Sequence, residues 1–236
     1  MNLRGQTALV TGGSKGIGKA ICLALAREGA NVVFAARNES RIRETLEELK
    51  ETGSVALAVQ ADVRFEEDVL NLISKAVDEF GRLDILVNNA GAAYRKRLED
   101  TTLKEYDEIM DTNLKGIFLC TKYAIPYIGN SNNGKIVNIS SGAGLHGIPE
   151  LSIYCASKSG VISITQSIAS ELEGKIKVYA ICPGGVDTDM YRFLFGHKPQ
   201  LKPEHIAKKV LELVSPDSRV PSGKIIEVYT PPIPHF

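Results

Sequence analysis

Apolar residues along this 236-residue chain fall into short β-branched runs that alternate with longer amphipathic segments. Such runs are typical of strands buried in a parallel sheet, and apolar positions recurring every three or four residues are typical of covering helices. The pattern predicts strands near residues 7–11, 31–36, 54–60, 84–88, 134–140, 176–182 and 223–229. It predicts helices over residues 17–28, 39–51, 66–80, 103–128, 152–173 and 203–214. This alternation indicates a doubly wound α/β fold.

The stretches without either pattern are short. They fall at residues 130–134, 187–202 and in the proline-rich tail 231–234. Several predicted helices are followed by a glycine that ends the last turn, namely Gly29, Gly53, Gly81 and Gly174. The length suits one large α/β domain, so residues 1–236 are expected to form a single unit, with about 187–202 flanking a substrate cleft.

The charge balance narrows the range of partners. Lys plus Arg equals Asp plus Glu, at 28 each, and neither sign forms a block, which argues against nucleic acid and a membrane surface. No apolar stretch approaches the length of a membrane span, so a cytoplasmic protein with a small-molecule partner is expected. No metal site is expected, because the histidines are scattered: His146, His197, His205 and His235. The cysteines are expected to be reduced and buried: Cys22, Cys120, Cys155 and Cys182.

A glycine-rich turn follows the first predicted strand and opens the first helix. Gly12, Gly16 and Gly18 allow a phosphate to approach the free backbone N–H groups of the helix start, as in dinucleotide sites. The alternative is the nucleophile elbow of serine hydrolases, since Gly12, Ser14 and Gly16 also fit Gly-x-Ser-x-Gly. An elbow needs an upstream loop that donates to an oxyanion, and the thirteen residues before Ser14 are used by the first strand. The turn therefore favours a dinucleotide.

Tyr154 and Lys158 lie four residues apart in a predicted helix. Residues at this spacing share one helix face, with Cβ atoms roughly 5–6 Å apart. A neighbouring cation favours phenolate over phenol, so Lys158 is expected to lower the pKa of Tyr154 toward working pH. The pair indicates a proton donor and acceptor.

Five motifs together resemble the single-domain short-chain dehydrogenase/reductase family. They are Thr11-Gly12-x-x-x-Gly16-x-Gly18, Asn88-Asn89-Ala90-Gly91, Ser141, Tyr154-x-x-x-Lys158 and Pro183-Gly184, in the family's order. The resemblance implies a Rossmann-type fold with a seven-stranded parallel sheet in the order 3-2-1-4-5-6-7 and helices on both faces. The chain is similar to 3-oxoacyl-ACP reductases and related carbonyl reductases of this family.

The resemblance also implies catalytic roles. Tyr154 would be the acid/base, Lys158 would lower its pKa and hold the nicotinamide ribose, and Ser141 would polarise the substrate carbonyl. Ser141 is preferred to Ser140 because the family serine lies thirteen residues before the tyrosine. Asn113 matches the asparagine that disturbs a helix and connects the lysine to solvent through water.

The remaining matches imply contacts with a nicotinamide dinucleotide. Asp62 and Val63 would lie beside adenine, and Pro183 and Gly184 belong to the segment that holds the nicotinamide. The full set of expected cofactor residues is Gly12, Ser14, Lys15, Gly16, Ile17, Gly18, Arg37, Asp62, Val63, Asn89, Ala90, Gly91, Tyr154, Lys158, Pro183, Gly184, Val186 and Thr188.

The end of the second predicted strand favours NADP(H) over NAD(H). An acidic residue there would bind an adenine-ribose hydroxyl and repel a phosphate, but the chain has Ala36 followed by Arg37. Arg37 and Lys15 would form charge-assisted hydrogen bonds with a ribose phosphate. The alternative is that Arg37 only pairs with Glu39 or Asp62 at the surface.

The expected activity is hydride transfer between NADP(H) and a carbonyl or secondary alcohol, of 3-oxoacyl thioester, ketone or sugar/polyol type. Two alternatives are an epimerase or dehydratase of the longer-chain relatives, which needs an added substrate domain, and a catalytically silent NADP(H) sensor. A homotetramer is expected, with a dimer as the alternative, because Tyr229-Thr230-Pro231-Pro232 stands where many relatives have Asp-Gly-Gly.

Overall fold

The computed structural model describes residues 2–131 and 133–229. Its strands are β1 (Thr7–Thr11), β2 (Asn31–Ala36), β3 (Ala56–Gln60), β4 (Ile85–Asn88), β5 (Gly134–Ile139), β6 (Ile176–Pro183) and β7 (Ile225–Val228). Its α-helices are α1 (Gly16–Arg27), α2 (Glu39–Lys50), α3 (Glu66–Phe80), α4 (Leu103–Met110), α5 (Gly116–Ile128), α6 (Ser152–Glu171), α7 (Asp189–Phe195) and α8 (Pro203–Val214). None of the helices in these ranges is long and apolar enough to cross a bilayer.

All seven strands form one parallel sheet in the order β3-β2-β1-β4-β5-β6-β7. Neighbouring side chains of a strand point to opposite faces, so Val10 packs into one apolar layer and Leu9 into the other. Ile21 of α1 and Val210 of α8 cover the first face, and Leu72 of α3 packs on the second. The predicted doubly wound fold and its strand order are confirmed.

The predicted helix over residues 103–128 is interrupted. A π-helical turn, Asp111–Lys115, separates α4 from α5. Asn113 lies in this turn, where its side chain accepts a hydrogen bond from the Ala92 N–H (2.8 Å) and donates to the Ala92 carbonyl (2.9 Å). It also donates to the Ser157 hydroxyl, 2.9 Å away. The turn holds a polar side chain in the interior between three segments of the chain.

The predicted irregular segment 187–202 contains a helix, α7. Thr188 begins it, since its hydroxyl accepts a hydrogen bond from the Tyr191 N–H (3.2 Å), and Gly196 ends it with φ 72°. Seven residues are too few for helical periodicity to stand out in the sequence. The proline-rich tail 231–234 lies outside the described residues.

Lys135 is a buried cation near the start of β5, at the edge of the sheet where the parallel strands begin. Its side chain is 2% exposed and contacts that of Asn133. Burial and the charge of the paired Lys177 lower the pKa of Lys135 to about 8. In an unfolded chain the lysine pKa is about 10.4. Between these two pKa values the unfolded chain binds more protons than the folded protein, so the free energy of unfolding rises with pH across that window.

We therefore expect Lys135→Met to raise the free energy of unfolding at pH 7, by about 1–3 kcal/mol, and to flatten its rise between about pH 8 and 10.4. Urea unfolding at neutral and alkaline pH measures both effects. Lys75→Met, on an exposed position of α3, is the matched control and should change neither. A Lys135→Met protein with the wild-type pH slope would contradict the assignment.

Candidate active site

Two adjoining clefts open at the carboxyl ends of the strands. The strand order reverses between β1 and β4: the chain continues from β1 toward β3 on one side and from β4 toward β7 on the other. Such a switch point is the usual ligand site of a doubly wound sheet. The first cleft, of about 380 Å³, lies over the glycine-rich turn. The second, of about 390 Å³, lies between α7 and the loops after β5 and β6. Residues that line both clefts are Ile17, Ser140, Tyr154, Thr188 and Met190.

The glycine-rich turn forms a cradle at the start of α1. No side chain caps this helix at Lys15, so its first N–H groups face a ligand without competition. Gly16 has φ +51°, a conformation that other residues rarely adopt. A Cβ atom on Gly18 would lie 2.2 Å from the Gly12 carbonyl oxygen, so only glycine allows the turn to pack this tightly. These features fit a pyrophosphate.

Asn89 connects this turn to the centre of the sheet. Its side-chain amide donates to the carbonyls of Thr11 (2.9 Å) and Gly12 (3.2 Å), and its backbone N–H donates to the Thr11 hydroxyl (3.0 Å). Ala90 and Gly91 follow and line the first cleft. The segment after β4 thus forms one wall of the cleft and keeps the turn in place.

The residues predicted to lie beside the adenosine, Arg37 and Asp62, line the first cleft. Asp62 accepts hydrogen bonds from Nε and Nη2 of the Arg64 guanidinium, and Arg37 is farther away, at 3.8 Å. Burial acts to raise the pKa of Asp62, but the hydrogen bonds and charge of Arg64, with the charge of Arg37, outweigh it and lower the pKa. Arg37 also lies 3.9 Å from Glu108, and its side chain is 57% exposed. Because both ion pairs of Arg37 are long, its guanidinium is available to a ligand.

Arg41 is a cleft residue that the sequence reasoning missed. It lies in the first turn of α2 and lines the first cleft beside Arg37 and Asn38. Its guanidinium donates to Asp189 at the start of α7, 3.2 Å away. The spacing of four residues between Arg37 and Arg41 was the available signal, since it places two cations near the same helix start.

Tyr154, Lys158 and Ser141 meet where the two clefts join. Tyr154 and Lys158 are one turn apart on α6, and the Lys158 ammonium lies 5.7 Å from the Tyr154 ring centroid. Ser141 follows β5 and lines the second cleft, where its side chain faces that of Tyr154 within hydrogen-bonding reach. The Ser140 hydroxyl instead donates to the Lys158 carbonyl, 2.9 Å away. Ser141 is therefore the serine that faces the tyrosine.

The protonation of Tyr154 differs from the expectation drawn from the sequence. Burial raises the pKa of the phenol, and the hydrogen bond with Ser141 acts in the opposite direction without reversing the shift. The Lys158 ammonium donates to the Ile139 carbonyl, 2.9 Å away, instead of to the phenol, and burial lowers its own pKa to about 8. The net shift of the Tyr154 pKa is thus upward, because burial dominates, and this is opposite to the lowering expected from the sequence. Tyr154 holds its proton at neutral pH.

Asn113 lies behind this group, fully buried. Its side chain joins the loop after β4 to Ser157 on α6, the residue immediately before Lys158. A Cβ atom on Gly91 would lie 3.5 Å from the Asn113 carboxamide oxygen and 3.8 Å from the Lys158 ammonium. Asn113 thus lies close to Lys158 and holds the part of α6 that carries it.

The second cleft has a mainly apolar lining. Its walls include the α7 side chains Met190, Tyr191, Leu194 and Phe195, together with Ile148, Leu151, Leu201 and Tyr229. Pro183, Gly184 and Val186 line it after β6, and Thr188 lies at its junction with the first cleft. The polar groups cluster beside Ser141 and Tyr154, which is the arrangement expected of a site that orients one reacting group of an apolar ligand.

Most of the predicted site residues come together around these clefts. The exceptions are Gly18 and Asn113, which lie behind the lining and support it. Sequence reasoning missed several lining residues besides Arg41: Asn38, Thr112, Ile148, Leu151 and Tyr229. Apart from the arginine spacing, these positions carry no local motif, so only the fold identifies them.

Comparison with known proteins agrees with this geometry. A family model described as short chain dehydrogenase matches residues 6–198. A 3-oxoacyl-[acyl-carrier-protein] reductase of Staphylococcus aureus is 42% identical over 187 residues, which are 78% of this chain and 76% of that protein. Every predicted motif lies within the range that the family model covers.

Two solved structures share the fold closely. A short chain dehydrogenase from Burkholderia cenocepacia in complex with NADP has a TM-score of 0.90 and 31% identity, covering 97% of this chain and 98% of that one. A 3-ketoacyl-(acyl-carrier-protein) reductase from Brucella melitensis complexed with NADH has a TM-score of 0.90 and 32% identity at the same coverage. The chain therefore belongs to the short-chain dehydrogenase/reductase family, whose members are nicotinamide-dependent oxidoreductases.

Proposed function

We propose that this protein transfers a hydride between NADP(H) and a carbonyl or secondary alcohol, with Tyr154 as the acid/base. The observation that supports this most strongly is the meeting of Ser141, Tyr154 and Lys158 where the cleft over the glycine-rich turn joins an apolar cleft. A reduced nicotinamide supplies the hydride when it is bound.

In the reducing direction the carbonyl carbon gains the hydride and its oxygen takes the phenolic proton of Tyr154, which yields an alcohol. The Ser141 hydroxyl donates a hydrogen bond to the oxygen as negative charge develops there. The nearby Lys158 ammonium stabilises the phenolate that remains until solvent returns the proton. Asn113 acts as a positioning residue for Lys158. The raised pKa of Tyr154 keeps the phenol protonated at neutral pH, as proton donation to the oxygen requires.

We also propose which residues of the first cleft contact the cofactor. The cradle of Ser14, Gly16 and Ile17 would hold the pyrophosphate, and Asp62 with Val63 would hold the adenine. Val186 and Thr188 would meet the nicotinamide end. A homo-oligomer and a cytoplasmic location remain predictions from the sequence.

The substrate is proposed to be an apolar carbonyl compound, a ketone or a 3-oxoacyl thioester. The apolar lining of the second cleft supports these classes over a sugar or polyol, which would need several hydrogen-bonding side chains there. The similarity to named 3-oxoacyl reductases also supports the thioester class.

The test is oxidation of NADPH, with NADH in parallel, by the purified protein against 3-oxoacyl thioesters, alkyl and aryl ketones and sugars. Turnover of ketones or thioesters with NADPH is the expected result. Tight NADPH binding with no turnover of any compound would instead favour the sensor function.

Preference for NADPH is expected to depend on Arg37 and Arg41. Each guanidinium can form a charge-assisted hydrogen bond with a ribose phosphate, worth about 1.5–3 kcal/mol. Arg37→Gln combined with Arg41→Gln should weaken NADPH binding by at least about tenfold per arginine and leave NADH binding nearly unchanged. The dissociation constants of both cofactors, measured by fluorescence titration, give the result.

Arg43→Gln is the matched control, because Arg43 is an exposed residue of α2 that pairs with Glu39 outside the cleft. It should bind both cofactors like the wild type. Equal losses of NADPH and NADH affinity in the double variant would show that the two arginines do not recognise the phosphate.

A further inference from the structure

Tyr229 is the last described residue and follows the edge strand β7. The Gly184 N–H donates to the carbonyl of Val228, 2.9 Å away, and so holds the end of β7 against the loop after β6. This attachment fixes the backbone from which the Tyr229 side chain enters the second cleft. The ring therefore has a defined place in the wall of the cleft.

The Tyr229 ring packs against the backbones of two glycines. A Cβ atom on Gly142 would lie 2.8 Å from the Tyr229 hydroxyl oxygen, and one on Gly184 would lie 2.7 Å from its Cδ1 atom. Neither glycine could carry a side chain with the ring in this position. Gly142 directly follows Ser141, so the ring occupies space next to the residue proposed to bind the reacting oxygen.

A carbonyl carbon carries two substituents, and the lining of the cleft is of two kinds. Leu194 and Phe195 belong to α7, a short helix on the surface of the fold. Tyr229 follows β7, and its ring is seated on the backbones of Gly142 and Gly184. A substituent that points toward β7 therefore meets a fixed ring.

We propose that Tyr229 limits one of the two substituents on the reacting carbonyl to a small group, while the other extends along the apolar wall of α7. This inference rests on the proposed function, because it assumes a carbonyl substrate at Ser141. It makes Tyr229 a specificity-determining residue and identifies the substrate as an unsymmetrical carbonyl compound. The phenol remains neutral, since burial and the nearby Glu227 carboxylate raise its pKa to about 12, so the ring acts through its bulk.

The test compares phenyl methyl, phenyl ethyl and phenyl propyl ketone, together with 3-oxobutanoyl, 3-oxohexanoyl and 3-oxodecanoyl thioesters of N-acetylcysteamine. We expect kcat/KM of the wild type to fall as the variable group grows in at least one of the two series, the one whose variable group points toward Tyr229. Tyr229→Ala should raise the ratio of kcat/KM for the largest to the smallest member of at least one series by about tenfold or more. Tyr229→Phe keeps the ring and should retain the wild-type ratio.

Tyr229→Leu serves as a second variant of intermediate bulk if Tyr229→Ala fails to fold, and it should give an intermediate ratio. A ratio that stays within about twofold of the wild type in a folded Ala or Leu variant would overturn the proposal. If the wild type reduces none of these compounds, the proposed function fails. The size limit is then measured by thermal shift, as binding of the ketones with NADPH present. It is supported if binding of the largest ketone relative to the smallest increases from the wild type to Tyr229→Leu to Tyr229→Ala. Equal relative binding by all variants refutes it.

Discussion

Replacing Tyr154 with phenylalanine is expected to lower kcat by about three orders of magnitude while NADPH binding stays within a few-fold of the wild type. A positioned acid or base contributes about 10²–10⁴-fold, and no other phenol is described at the junction of the clefts besides Tyr154. Phenylalanine keeps the ring, so the lining of both clefts is preserved. The measurement is kcat for carbonyl reduction beside the NADPH dissociation constant.

Tyr127→Phe provides the control for this prediction, since it makes the same chemical change on an exposed residue of α5. It should retain wild-type kcat. If Tyr154→Phe also retained most of its kcat, the proton would come from another group, and the proposed role of Tyr154 would be refuted.

Replacing Gly18 with alanine is expected to destabilise the fold by about 3 kcal/mol and to weaken NADPH binding by more than about tenfold. The new methyl group would lie 2.2 Å from the Gly12 carbonyl oxygen and 2.4 Å from the Asn89 side-chain nitrogen. Both belong to the turn or its anchor, so the cradle has to move. The higher helix propensity of alanine, worth about 1 kcal/mol, is too small to offset this.

Gly147→Ala is the matched control, because no atom lies within 4 Å of a Cβ placed there and its φ is not in the left-handed region. Urea unfolding and NADPH titration of the two variants separate the effects. A Gly18→Ala protein as stable as Gly147→Ala, with wild-type NADPH affinity, would show that the tight turn is not required.

The parts of the fold that could be predicted are those with local signals. The buried strands and long helices follow from periodicity, and the glycine-rich turn and the Tyr154–Lys158 pair follow from spacing within a few residues. The predicted strands at 54–60 and 223–229 are longer than β3 and β7, whose side chains are mostly only partly buried, which weakens the apolar pattern. The interruption at Asn113 agrees with what the family resemblance implied, but it does not follow from periodicity, because it depends on the partners Ala92 and Ser157 elsewhere in the sequence.

The parts of the site that could not be predicted depend on distant segments that the fold brings together. Arg41 meets Asp189, 148 residues later, across the first cleft. Tyr229 acquires its place through Gly142 and Gly184, and no spacing along the chain indicates this contact. The direction of the Tyr154 pKa shift could not be predicted either. Burial is its largest cause, and burial depends on the folded surroundings and not on the spacing of Tyr154 and Lys158.

The measurement that tests the central claim most directly is isotope transfer from NADPH that carries deuterium at both positions of nicotinamide C4. We expect deuterium on the carbinol carbon of the alcohol formed from a ketone or 3-oxoacyl thioester, with the hydroxyl proton exchanged from water. Analysis of the product by mass spectrometry and NMR would show both. NADPH oxidation that yields no deuterated alcohol, or an alcohol labelled from solvent at carbon, would contradict direct hydride transfer at this site.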